Sequence, residues 1–315
     1  MTVPLATRQF EDGRAVLHFE RRLAHPPEKV WRAVTEPSEL AHWFPATVEL
    51  ELQPGAPIHF VEDDPAIGES TGEVLEADPP KVFAFRWGGD VLRFELVPDG
   101  SGCRLLFSHA LSGGDVWGDE KFAAQHAAGW DACLELLAAR LGGETSDAGS
   151  TVEWLARNEQ YVEEFGLAEG EVVDDADGSV IRFERILIQP PDEAWAALTG
   201  SEDLEIGDPA PRPATSPAVP AGFVTSVEPG RGLAYDWLRD GEPVGSVRWT
   251  VSGRQYACRL VLTQSVPPGH ADRLASMLAA WQVQLERFVA GLHDIERPWP
   301  DDRVEVLEKM YAERS

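Results

Sequence analysis

The 315-residue chain is written twice, and this constrains its fold more than any other feature. Ser179–Leu204 overlays Ala15–Leu40 at an offset of 164: Val180, Phe183, Glu184, Arg185, Pro190, Pro191, Trp195, Thr199 and Leu204 repeat Val16, Phe19, Glu20, Arg21, Pro26, Pro27, Trp31, Thr35 and Leu40. Gly222, Val224, Pro229, Ala234 and Trp237 repeat Gly72, Val74, Pro79, Ala84 and Trp87 at 150. Arg248, Cys258 and Arg259 repeat Arg93, Cys103 and Arg104 at 155, and Trp281, Leu285 and Leu292 repeat Trp130, Leu134 and Leu141 at 151. The drop from 164 to 150 removes 14 residues from the second copy, where the first has Trp43-Phe44 and a β-hairpin. Asp208–Gly222 replaces them with a Pro/Ala-rich stretch that is unable to form a central strand, so the second sheet is expected to be two strands shorter.

Within the first copy, Ala15–Leu23 alternates as a strand, and Pro27 with Glu28 suits the start of a short helix, Glu28–Thr35. Leu40–Pro45 reads as a further helical turn. Thr47–Leu52, Pro57–Val61, Gly72–Ala77, Lys81–Trp87, Val91–Val97 and Cys103–Leu111 then read as strands joined by Gly/Pro turns, which implies an antiparallel meander. Glu120–Leu141 places Phe122, His126, Trp130, Leu134, Leu137 and Leu141 at helical spacing, an apolar stripe able to cover one face of that sheet. Gly129 interrupts it, and a close backbone approach is the expected reason. Thr151–Phe165 and Asp302–Ala312 read as appended helices. The fold class is therefore α+β. The expected domains are 1–143 with a complete sheet, 144–178 as a linker with a short helix, 179–293 as the shortened copy, and 294–315 as a helical tail.

The net charge of −27 is spread evenly: residues 1–150 carry 12 basic and 25 acidic side chains, the remainder 15 and 29. Neither half has a basic patch, which argues against nucleic acid or an anionic membrane as a partner. No apolar run reaches the ~18–20 residues of a membrane span, and MTVPLATRQFEDGR has neither the apolar segment nor the cleavage site of a signal peptide. With three cysteines and no C-x-x-C, a reduced cytoplasmic protein is expected.

Strand alternation points Phe83, Phe85 and Trp87, Phe94, and Phe107 with His109 toward the helix. His126 lies one turn before Trp130 on the helix stripe. Ordinary core packing accounts for most of these rings. The second copy has Met277 for His126 and Gln264 for His109, so the fold does not require imidazole there, and any functional pocket is expected in the first copy. Gly68-Glu69-Ser70-Thr71-Gly72 spells G-x-S-x-G, but a strand rather than a helix follows it. Asp175, Asp177, Gly178 and Glu184 imitate part of a calcium loop whose first position is Val173. Cys103 and Cys258 read as inert buried thiols.

Pro26, Pro27, Trp31, Trp43, Gly55, Gly72, Pro79, Pro80, Trp87, His109, His126, Gly129, Trp130 and Leu134 together form a pattern similar to the activator-of-heat-shock-protein-90-ATPase homologues. These belong to the helix-grip (START-like, SRPBCC) superfamily. The resemblance covers Gly13 to about Gly143, and Ser179 to His293 in weaker form. It implies a curved antiparallel sheet gripping a long C-terminal helix, with a cavity between them, and no single chemistry. The expected function is non-enzymatic binding of a small hydrophobic molecule in the first domain by Trp43, Phe60, Phe83, Phe85, Trp87, Phe94, Phe107, His109, His126 and Trp130, without catalytic residue, cofactor or metal. The alternatives are a cyclase- or hydrolase-like enzyme using His109 or His126 as acid/base, recognisable by a His–carboxylate cluster in the cavity, and a chaperone-associated or other protein-interaction module.

Overall fold

A computed structural model describes residues 4–62, 68–114, 118–144, 149–176, 178–200, 203–254 and 257–314. The chain divides into two compact units, Met1–Phe165 and Gly166–Ser315.

In the first unit, strands β1 (Thr7–Glu11) and β2 (Arg14–Leu23) precede two short helices, α1 (Pro27–Thr35) and α2 (Pro37–Leu40). Six strands follow: β3 (Ala46–Leu50), β4 (Pro57–Glu62), β5 (Glu69–Asp78), β6 (Val82–Trp87), β7 (Asp90–Asp99) and β8 (Gly102–Ala110). They form one antiparallel sheet in the order β1-β2-β8-β7-β6-β5-β4-β3. A 3-10 turn, Glu120–Phe122, leads into the long helix α3 (Ala123–Gly142), which buries Trp130, Leu134, Leu137 and Leu141 as the stripe predicts. Registers align Phe19, Phe107, Phe94 and Phe83 as one cross-strand row, and Leu17, His109, Leu92 and Phe85 as the next. Helix α4 (Thr151–Glu164) starts with a Ser150/Glu153 capping box. It is tied to α3 by Tyr161, whose hydroxyl donates to Asp131 Oδ2 (2.6 Å) and accepts from the Ala6 amide (2.9 Å).

The second unit runs β9 (Glu171–Asp175), β10 (Gly178–Leu187), α5 (Pro191–Thr199), β11 (Ala221–Glu228), β12 (Gly232–Arg239), β13 (Glu242–Arg254), β14 (Ala257–Val266), α6 (Leu274–Gly291) and α7 (Asp301–Arg314). Its sheet order, β11-β12-β13-β14-β10-β9, is that of the first without β4 and β3, so the shortening read from the spacing is present. Details repeat as well. Pro26 and Pro190 begin their helices in the same extended conformation, and Thr35 and Thr199 each donate back to a tryptophan carbonyl. Tyr311 on α7 donates to Gln282 Oε1 (2.6 Å) and accepts from the Gly170 amide (2.9 Å), as Tyr161 does for α4. The appended helix is thus part of each repeated unit.

The two missing strands were lost differently. Gly55 and its neighbour Ala56 bond to Val74 across the sheet; Gly207 and Asp208 make the same pair of bonds to Val224. Two residues separate Leu204 from Gly207 where fourteen separate Leu40 from Gly55, so β3 is deleted outright. From that glycine to the one in the next paired strand the spans are nearly equal, with 16 residues between Gly55 and Gly72 and 14 between Gly207 and Gly222. There Pro209, Pro211, Pro213, Pro217 and Pro220 prevent a strand from forming by removing amide donors. The segment instead touches the β11 edge through a Pro209–Phe223 bridge, which shields that edge.

Two sequence expectations are corrected. The helical turn near Leu40–Pro45 lies earlier, at Pro37–Leu40, because Pro37 starts it. No backbone crowds Gly129: a Cβ built there meets nothing within 4 Å. Trp195 is only half-buried, unlike Trp31, Trp130 and Trp281. Asp177 of the calcium-like stretch lies outside the described residues, while Glu184 sits within β10 and pairs with Arg182 and Arg259.

Candidate functional site

The sheet face under α3 in the first domain is a continuous run of rings. Phe60 stacks on Trp87 and Phe94 on Phe107 (centroids 4.5 Å apart in each pair), and Phe83 meets Phe85 at a tilt (5.0 Å). Trp130 on α3 meets Phe107 edge-on at 4.7 Å, and Trp43 meets Phe94 edge-on at 6.0 Å. All ten residues singled out from the sequence therefore lie in one cluster. Eight of them are buried, while Trp87 and His126 are half-buried.

Two further members were not singled out. Phe44 is the hub, lying within 6.3 Å of Phe60, Phe85, Trp87 and Trp130. It sits in an irregular turn after α2, where no periodicity reports which way a side chain points. Asp90 is the other. It opens β7 beside the Gly88-Gly89 turn, on the buried face it shares with Leu92 and Phe94, and its register opposite Trp87 places it beside the last residues of β8.

Asp90, His109 and Trp130 form a hydrogen-bonded line at one end of the aromatic run. The Trp130 indole donates to His109 Nδ1 (3.0 Å), and His109 Nε2 lies 2.9 Å from Asp90 Oδ2. An indole N–H only donates, so Nδ1 accepts, and the neutral ring's proton is on Nε2, donated to Asp90. The Ser112 amide occupies the other carboxylate oxygen (2.8 Å). His109 is 3% exposed and Asp90 9%. Burial works to raise the Asp90 carboxyl, but the His109 hydrogen bond, the nearby charges of His109 and His126, and the Ser112 hydrogen bond outweigh it and hold it below the usual carboxylate range. His126 packs edge-on against His109 (4.6 Å) and Phe122 (4.9 Å).

Potential ligand atoms of Asp90, His109 and His126 lie within 4.8 Å of one another, a spacing that suits a metal ion. The hydrogen bonds do not. With Nδ1 receiving the indole proton and Nε2 carrying its own, neither nitrogen of His109 has a lone pair to offer a cation.

The rings leave little room between them. Val34, Leu40, Phe44, Val48, Leu50, Ile58, Phe60, Phe83, Phe85 and Phe94 enclose a cavity of about 10 Å³, the space of a single water.

The second domain keeps the frame and changes the chemistry. Trp281 donates to Gln264 Oε1 (2.6 Å), so glutamine supplies the acceptor that His109 supplies to Trp130. Gln264 donates an amide N–H to Met277 Sδ (3.2 Å), and the register opposite Trp237 that corresponds to Asp90 is Gly245. Tyr235 and Trp249 occupy the register of Phe85 and Phe94. Both donate to the carbonyl of Ala214 (2.6 and 3.0 Å), and Gln284 donates to that of Pro213 (2.9 Å). The proline-rich segment is thereby pinned inside the grip, with Ala214 fully buried.

The other motifs are structural. Ser70 of the G-x-S-x-G stretch lies in β5 and accepts a hydrogen bond from Trp87 (2.9 Å). The thiols of Cys103 and Cys258 are buried, and desolvation pushes Cys103 up and Cys258 to about 12.

Residues 24–142 match the sequence profile of the Activator of Hsp90 ATPase homolog 1-like protein family. The first domain belongs to that family. Solved structures similar to this chain include a conserved protein of unknown function from Enterococcus faecalis (23% identity, covering 51% of this chain and 90% of that one, TM-score 0.43). CalU16 from Micromonospora echinospora is another (21%, 50% and 94%, TM-score 0.40), as is a Bordetella parapertussis protein (28%, 51% and 94%, TM-score 0.38). No curated protein matches the chain significantly. The family profile ends at the close of α3, so it takes in the aromatic cluster with Asp90, His109 and Trp130, and leaves α4 outside. Among the described residues, no helix is long and apolar enough to cross a membrane.

Proposed function

We propose that the first domain binds a small, flat, mostly apolar molecule between α3 and its sheet, and does so without chemical turnover. The observation that carries this reading is the contrast in tethering at equivalent positions. In the second domain the wall residues Tyr235 and Trp249 are hydrogen-bonded to a plug made of the chain's own residues. In the first, those positions are Phe85 and Phe94, which hold their neighbours only by ring contacts. Such contacts leave no hydrogen bond unmade when they part, and a guest ring can take their place. The 10 Å³ cavity is then the closed state. Admission requires the Trp43-Phe44 turn and the β3–β4 hairpin to move outward, and the second domain folds without both elements. Asp90 and His109 give the guest a polar end to recognise, in keeping with apolar pockets that carry few placed polar groups.

Catalysis is the weaker reading even though a His–carboxylate pair is present. A general base needs a nitrogen facing the substrate, and both nitrogens of His109 are committed.

The test is a titration of the full chain with N-phenyl-1-naphthylamine, an uncharged fluorescent ring compound. Saturable enhancement at one site per chain, weakened at least tenfold by Phe44→Ala while the far-ultraviolet circular dichroism is unchanged, is expected. An enhancement that never saturates, or one that Phe44→Ala leaves as it was, contradicts the proposal.

A further inference from the structure

The second domain holds a pocket of its own, away from the helix–sheet interior. Between Tyr235–Val247 and Phe85–Leu92 the registers correspond, but the offset rises from 150 to 155 across the turn, so the second domain has five extra residues there. Two residues, Gly88-Gly89, link Trp87 to Asp90; seven, Leu238 to Val244, link Trp237 to Gly245. The added length extends β12 and β13 into a longer hairpin. Its Leu238, Arg239, Asp240 and Gly241, with Pro220 and Arg273, line a pocket of about 380 Å³. That size lies within the range of small-molecule sites.

Its chemistry is at odds with the rest of the molecule. In a chain of net charge −27, two arginines line this pocket. Arg239 is braced by His270, with 2.8 Å between Nη1 and Nδ1, and His270 in turn packs edge-on against the buried Trp237 ring (5.5 Å). Among the described residues, the Arg273 side chain reaches only the Ala218 carbonyl, at 3.5 Å, the limit of a hydrogen bond. The one acidic lining residue, Asp240, is 3.9 Å from Arg239 Nε, but its side chain is 96% exposed and points into water, where it screens little of the charge. Arginine forks are suited to planar oxyanions.

We infer that this pocket binds a small molecule bearing a carboxylate or phosphate group, held by Arg239 and Arg273 with its body against Leu238 and Pro220. The site is independent of the first-domain reading and stands or falls separately.

Two probes, benzoate and inorganic phosphate, are titrated into the full chain at constant ionic strength, with binding followed by saturation-transfer NMR for benzoate and by ³¹P line width for phosphate. Saturable binding of at least one is expected, and which one binds identifies the anion class. The double variant Arg239→Gln/Arg273→Gln is expected to weaken it at least tenfold, and Arg231→Gln, an exposed arginine outside the pocket, to leave it unchanged. Absence of saturable binding by both probes, equal affinity in the double variant, or an equal loss with Arg231→Gln overturns the inference.

Discussion

The first and second domains share a frame through six strands, a long helix and a tyrosine-anchored appended helix, yet the interiors are filled by different means. The first closes over its sheet with rings: Phe44, Phe60, Phe85, Phe94 and Phe107. The second closes with backbone, a proline-rich segment whose Ala214 and Pro213 carbonyls are gripped by Tyr235, Trp249 and Gln284. What both retain, such as the long-helix tryptophan bonded to an acceptor on the adjacent strand, belongs to the fold. What only one retains, the Asp90–His109 pair and the untethered phenylalanines, is available for function.

The comparison breaks most visibly at the shared tryptophans. Trp130→Ala and Trp281→Ala each remove a buried ring and a buried hydrogen-bond donor, and each should cost about 3–5 kcal/mol in its own domain. Two separate unfolding transitions in calorimetry, with only the mutated domain's transition lowered, would verify it.

The matching glycines come next. A Cβ on Gly72 meets the Arg86 carbonyl oxygen at 1.8 Å, whereas one on Gly222 meets a flexible Leu238 methyl at 3.0 Å and the Asp236 carbonyl oxygen at 3.2 Å. Gly72→Ala should therefore destabilise by about 1–3 kcal/mol or more, and Gly222→Ala by clearly less, as read from urea midpoints.

Acid sharpens the contrast. The Asp90 carboxyl is held below its ordinary value of 3.8, so its contribution to stability is full above that value and is lost as pH falls through the lower folded value. Gly245, at the matching position, has no carboxyl to titrate. Asp90→Ala leaves the His109 Nε2–H and the Ser112 amide without their acceptor. It should cost the first domain about 1–3 kcal/mol at pH 7 and flatten this component of its acid profile, measured by thermal unfolding at pH 7 and pH 3.

The smallest effect has the opposite sign. Gly129→Ala on α3 meets open space, and should raise stability by up to about 1 kcal/mol in the same urea assay.

Much of this architecture is legible in the sequence because it rests on spacing. The repeated Phe-Glu-Arg and Pro-Pro pairs set the strand and helix entry, and the drop in offset from 164 to 150 marks the two missing strands. Phe83, Phe85, Trp87, Phe94 and Phe107 follow from strand alternation, which fixes the face a residue occupies, Trp130 follows from the helix stripe, and Trp43 and Phe60 follow from the family resemblance. Phe44 escapes because it lies where alternation has stopped, in a turn after a four-residue helix. Asp90 escapes for another reason: it shares the buried face of Leu92, Phe94 and Leu96, but a carboxylate beside a glycine turn reads as a solvent-facing turn residue. The closure of the cavity escapes for a different reason: whether rings meet or leave a gap depends on side-chain volumes in three dimensions, which no periodicity encodes. Gly129 misleads because helical glycines mark close approaches often enough to suggest one, and here there is none.

The most direct test of the account gives the first domain the second domain's own residues, Asp90→Gly, His109→Gln and His126→Met together, in the full chain. Gln264 already serves as the indole acceptor in its domain, so the first domain should stay folded, with an unchanged circular dichroism spectrum and a cooperative transition. Titration with N-phenyl-1-naphthylamine should then show affinity reduced at least tenfold relative to the unmodified chain. A folded triple variant that binds the probe as tightly as before would contradict the claim that these three side chains are there for a ligand rather than for the fold.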